Sequence, residues 1–246
     1  MSRRKKGIFV LAIASGMAAV AGAIWIASGS RTGPDIAIEG HSISREEYLD
    51  CMKSVEYDTK IQIQQEHGTA YSEDFWLQEY NGRAGYEILA ENTVERLKYI
   101  HAVYDIAWEN DDVEDASYAA LRRRWENENS CRNEKDDNGE VIYGLKEYTF
   151  ELYLQYEMSI LKETYCNDGT REGMDLTDEE MHAHYDSREW TFKENEERAD
   201  FDTAKVAVER ELREQKYDDM VERWARDSKV DGSMEAVFQF TLKNIQ

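Results

Sequence analysis

The chain has 246 residues, with 52 Asp and Glu against 30 Lys and Arg, for a formal net charge of −22. That balance excludes a surface that gathers nucleic acid or anionic lipid heads by charge. Three cysteines, Cys51, Cys131 and Cys166, allow at most one intramolecular disulfide, so an apolar core rather than a disulfide framework must hold the fold.

Residues 1–6 are a basic segment containing Arg3, Arg4, Lys5 and Lys6, and no charge follows until Arg31. As a helix, residues 7–28 would be about 33 Å long, enough to cross a hydrocarbon core of about 30 Å. The cations on its N-terminal side predict a transmembrane signal anchor with the N-terminus inside and the rest of the chain extracytoplasmic. A cleaved signal peptide and a secreted product is the alternative, since Ala19-Val-Ala21 and Ala21-Gly-Ala23 are small-x-small sites. The first cysteine is Cys51, which excludes a lipoprotein. Residues 29–34 form a linker that ends on Pro34, the one proline, and nothing beyond it forbids long helices. Residues 35–246 are the predicted ectodomain. Setting aside the four N-terminal cations leaves 26 Lys and Arg against the 52 acids, a net charge of −26 that favours basic partners.

IAIEGHSI at 36–43 predicts a short strand and turn. Ser44 with Glu47 three residues later forms a capping box, which opens a helix carrying Tyr48, Met52, Val55 and Thr59 at helical spacing. After a turn at His67-Gly68 comes an aromatic cluster, Tyr71, Phe75, Trp76 and Tyr80. The stripe Tyr86, Ala90, Val94, Leu97, Ile100, Tyr104 and Ala107 predicts a long helix over 86–108. A helix over 116–127 and a charged loop over 128–140 follow. Residues 145–165 carry apolar stripes on two opposite faces, which predicts a helix at the centre of the core. Thr177 and Glu180 form a second capping box. The last helix, 204–230, shows one apolar face in its first half (Ala204, Val208, Leu212) and a rotated one in its second (Tyr217, Val221, Trp224). It is expected to tie two lobes together. Alternation of apolar residues over 234–242 predicts a half-buried strand pairing with the strand at 36–38.

Three stretches, IAIEGHSISREEY, LTDEEMHAHYDSREW and ELREQKYDDMVERWARDSKV, resemble the SurA/PrsA-like extracytoplasmic chaperones over most of residues 35–240. The resemblance implies a mostly α-helical chaperone lobe with long helices and a small sheet joining its N- and C-terminal strands. It also implies ATP-independent holding of unfolded exported polypeptides. Members commonly carry a parvulin-type prolyl isomerase domain after the T-D-E-E helix. Here about fifteen residues (186–200) fill that place, where a parvulin domain needs on the order of a hundred, so that activity is not expected. The Asn-Gly usual at the family's first turn is Glu39-Gly40 in this chain.

No nucleophile elbow, zinc-protease helix, phosphate loop or dinucleotide fingerprint is present, and neither an enzyme nor a cofactor is expected. Glu179 and His182, and Glu180 and His184, are spaced for one helix face each, but the two histidines diverge by about 200° and lack a matching second motif. An EF-hand reading of Glu134, Asp136 and Asn138 fails because its twelfth position is Leu145. The site expected is a hydrophobic cradle for unfolded clients lined by Tyr48, Met52, Phe75, Trp76 and Tyr80, since adaptable Met and amphipathic aromatics accept many apolar segments. A tethered docking module for one specific envelope or secretion partner is the competing reading.

Overall fold

The computed structural model describes residues 33–192 and 197–245. The basic segment at 1–6 and the anchor expected at 7–28 lie outside the described residues. No helix among the described residues is long and apolar enough to cross a membrane.

Two short strands, β1 (Ile36–Ile38) and β2 (His41–Ser42), lead into α1 (Arg45–His67), and a hairpin of β3 (Glu79–Tyr80) and β4 (Arg83–Ala84) leads into α2 (Gly85–Glu109). Helices α3 (Tyr118–Asp137), α4 (Phe150–Asn167) and α5 (Asp178–Asp186) follow. The chain closes with α6 (Phe201–Asp227), β5 (Val230–Gly232) and α7 (Met234–Asn244). The fold is mostly helical with small antiparallel sheets, and β1 lies between β2 and β5.

Both capping boxes form. The Glu47 backbone N–H donates to Ser44 Oγ at 3.1 Å and the Ser44 N–H to Glu47 Oε2 at 3.3 Å. Thr177 and Glu180 exchange the equivalent bonds at 3.2 and 2.9 Å. Each pair satisfies donors that a helix start leaves without partners.

Three cores are strung along two helices. The first half of α2 buries Ile88, Leu89, Val94 and Leu97 with β1, α1, the 75–80 turn and α7. Its second half buries Val103, Tyr104 and Ile106 with α3, α4 and the far end of α6. α6 repeats the device: Ala204, Val208 and Leu212 close a third core with Met181 and Trp190, while Tyr217, Val221 and Ala225 belong to the second. The rotation of its apolar face halfway along therefore joins two lobes, as its sequence pattern predicts.

Several elements differ from expectation. Residues 234–242 are helical, and the strand that pairs with β1 is instead Val230–Gly232, with Ile36 opposite Gly232 and Ile38 opposite Val230. Met234, Val237, Phe238 and Thr241 also satisfy a helical period, and burial of Val237 and Thr241 against the first core decides between the two patterns. α3 runs on to Asp137 through the stretch expected as a loop. There its inner side is fastened by hydrogen bonds rather than apolar burial: Asn129 Nδ2 donates to the Tyr148 carbonyl, and Asn129 Oδ1 accepts from the Tyr148 N–H, both at 2.8 Å. α4 begins only at Phe150, because Thr149 is its N-cap and its Oγ1 accepts from the Leu152 N–H at 3.3 Å. α4 also leaves one of its two apolar stripes uncovered, so the centre of the molecule is α2.

Candidate client groove

The five residues expected as an open cradle do come together, but as closed core. Tyr48, Met52, Phe75, Trp76 and Tyr80 are all buried in the first cluster. The turn and first hairpin strand over 71–80 fold Phe75, Trp76 and Tyr80 down onto the first core and leave Tyr71 and Leu77 exposed. Phe75 meets the Trp76 ring edge-on at 5.0 Å, and the Tyr80 hydroxyl donates to the Phe75 carbonyl at 3.0 Å. Tyr48 is capped from above by Phe240, 5.3 Å away in a T-shaped pair. None of the five faces solvent in this conformation.

An open concavity lies one helix face away. The first turns of α1, the middle of α2 and the N-terminal turns of α3 and α4 enclose a groove of about 250 Å³. Its walls are apolar: Cys51, Leu97, Ile100, Leu121, Phe150 and Leu154. Burial pushes the Cys51 thiol up to about 12, so it stays protonated and serves as wall rather than nucleophile.

A polar rim encloses those walls. The Tyr118 hydroxyl donates to Asp50 Oδ2 at 2.7 Å, and Arg122 Nη1 donates to the same oxygen at 3.2 Å. Arg122 also reaches Glu46 at 3.3 Å and lies over the Trp125 and Phe150 rings at 4.6 and 4.7 Å. One guanidinium therefore ties α1 to α3 and covers the aromatic start of α4. Burial, followed by the bond to Asp50, raises the Tyr118 hydroxyl well above the ordinary tyrosine range. Across the groove, His101 Nε2 and Glu47 Oε1 are 2.9 Å apart, so the carboxylate that caps α1 also holds α2. Behind the groove, Glu157 Oε2 accepts from the Tyr104 hydroxyl at 2.6 Å, and Oε1 accepts from Tyr153 at 2.8 Å and from Arg124 Nε at 2.8 Å. That network braces α2, α3 and α4 around the opening.

The groove escaped sequence reasoning because each of four helices supplies only a few of its residues. The available signal was an aromatic at the first turn of two helices, Tyr118 and Phe150. No cluster of three or more metal-ligating side chains occurs among the described residues. His182 stacks on Phe201 at 3.8 Å, whereas His184 turns towards Glu211, 3.7 Å away.

The chain is 30% identical over 209 residues to the chaperone for lacto-N-biosidase of Bifidobacterium longum subsp. longum, an alignment covering 85% of this chain and 75% of that protein. No family model matches the chain, and no solved structure matches it.

Proposed function

This chain belongs to the family of the chaperone for lacto-N-biosidase, and from that premise we propose that it is a dedicated chaperone for one exported glycosidase of the lacto-N-biosidase kind. The observation that carries the reading is the kinship itself, which spans 85% of the chain. The groove between α1, α2, α3 and α4 supports it physically. Its apolar walls suit an apolar client segment, and its rim groups are already engaged with one another, so they hold the opening in shape without a cofactor. Binding is ATP-independent and driven by removing apolar surface from water. A dedicated client favours the docking reading of the sequence over a general holder of unfolded polypeptides.

The proposal includes the setting. The uncharged run at 7–28 and the cations before it support a tether in the cytoplasmic membrane, with residues 35–246 on the outer side. A SurA/PrsA-like lobe is also part of the reading. It is supported by the strand, Gly turn and capped helix at the start of the ectodomain, and by the pairing of β1 with β5 that closes its ends.

The test is co-expression of the full chain with the lacto-N-biosidase served by the Bifidobacterium longum relative, reading active enzyme. An aggregating unrelated protein is followed in parallel by light scattering. A rise in active enzyme with no effect on scattering is the expected result. Suppressed scattering without enzyme rescue would make the protein a general holdase, and no effect in either assay would sink the chaperone reading.

A further inference from the structure

α4 is apolar on two sides, and the fold covers only one. Leu154, Leu161 and Tyr165 enter the second core. On the opposite side Leu152, Tyr156 and Ile160, each four residues from the next and so stacked one turn above another, are 42, 39 and 40% exposed.

The strip continues past the start of the helix. The Tyr148 ring stacks on Tyr156, with centroids 5.2 Å apart and planes 18° from parallel. Arg132 lies over the Tyr148 ring, 4.6 Å from its centroid. Its Nη1 donates to the Leu145 carbonyl at 2.7 Å and the Tyr143 carbonyl at 3.2 Å, which pins the segment leading into α4. Leu145 and Tyr143 are 47 and 85% exposed. This is a contiguous apolar surface on a held backbone, unlike the single exposed apolar side chains common on soluble proteins.

Its fringe is acidic. At its two ends Glu147, just before the helix, and Glu163, one turn beyond Ile160, are exposed and form no ion pair among the described residues, while Lys146 is neutralised by Asp136. We propose that this strip is a docking surface for an amphipathic helix of a partner protein whose apolar stripe is flanked by Lys and Arg. Ridges of side chains four residues apart are what one helix offers to the grooves of another. The unpaired carboxylates at the two ends, with the net charge of −22, select the sign of the partner's charged residues. A second copy of this chain is disfavoured because it would bring two molecules of net charge −22 together, and an anionic membrane is repelled for the same reason. The strip faces away from the groove and does not depend on the identity of the client.

The test uses the full chain in zwitterionic lipid nanodiscs, with empty discs as blank. The probe is a fluorescent 18-residue helix-forming peptide with a Leu stripe flanked by Lys, and the control has the same stripe flanked by Glu. Binding of the Lys-flanked peptide alone is expected, weakening as salt rises. It should weaken about tenfold further in Leu152→Gln with Ile160→Gln, exposed changes that leave helix content unaltered by circular dichroism. Hydrogen exchange should slow over 141–163 when the peptide binds. No binding, equal binding of both peptides, unchanged affinity in the variant, or protection confined to 45–54 and 97–104 in the groove would each overturn the proposal.

Discussion

The hydroxyls of Tyr48 and Thr241 share a hydrogen bond of 2.6 Å in the centre of the first core, joining α1 to α7 across 193 positions of sequence. Both side chains are fully enclosed. Thr241→Val strands the tyrosine hydroxyl in an apolar setting and is expected to cost about 2 kcal/mol in urea unfolding. Adding Tyr48→Phe removes the stranded group, so the double variant should recover most of that loss. A double variant as unstable as the sum of the singles would refute the pairing.

Glu157 accepts bonds from Tyr104, Tyr153 and Arg124 with a side chain only 12% exposed. Replacing it with Leu leaves the guanidinium and two hydroxyls without their acceptor. A loss of about 3 kcal/mol is expected, with the groove-lining helices losing amide protection before the β1–β5 sheet does. Hydrogen exchange would reveal the order.

Asp105, beside His101 and His41, has its carboxyl raised above the ordinary aspartate value, chiefly by burial, against the opposing pull of the two histidines. A carboxyl raised in the folded state stabilises the fold only while protonated, and that contribution is lost as pH rises through the folded value. Asp105→Asn should therefore raise the unfolding midpoint at pH 7, with the advantage disappearing below about pH 4, where the native residue is neutral too. A variant equally stabilised at both pH values would contradict the burial argument.

The three cysteines are free, with Cys51 and Cys166 buried and Cys131 exposed. Burial also pushes the Cys166 thiol up to about 11. At pH 8 the folded protein should take up one equivalent of N-ethylmaleimide at Cys131, and the other two thiols should react only at the rate of unfolding. Fast labelling of Cys51 would mean that the groove opens far more than its walls indicate.

Ala116 lines the groove without being buried in the core, so Ala116→Trp should fill the cavity and leave the fold intact. Rescue of the co-expressed glycosidase is expected to fall several-fold while the thermal midpoint moves by less than about 3 °C. Full rescue would place the client elsewhere.

Helix starts were legible because a cap is a local chemical pattern: Ser44 with Glu47 and Thr177 with Glu180 act across three residues and need no partner. The turn of the apolar face along α6 was equally readable. Failure came where distant residues decide. Residues 128–137 are helical because Asn129 and Arg132 find carbonyls in the segment before α4, and 234–244 is helical because Thr241 meets Tyr48. The aromatic cluster at 71–80 was recognised as one unit, but not that its own hairpin would shut it. The groove was invisible for the same reason: it is the gap left among four helices, set by packing angles that no single segment encodes.

Gly232, with φ of 121°, sits opposite Ile36, and a Cβ there would come within 2.6 Å of the Asp35 carbonyl. That tight seam, together with α7 lying on the first core, means that the opening strand, paired on one side with β2, has no partner on its other side until residues 230–232 exist. During synthesis the amino-terminal lobe must wait, half built, with Tyr48 and Ile38 uncovered, until residues 230–245 arrive. Truncation at residue 229 would therefore damage the first core more than the second. A fusion partner attached at the carboxyl end would be held beside the linker that leads into the first strand.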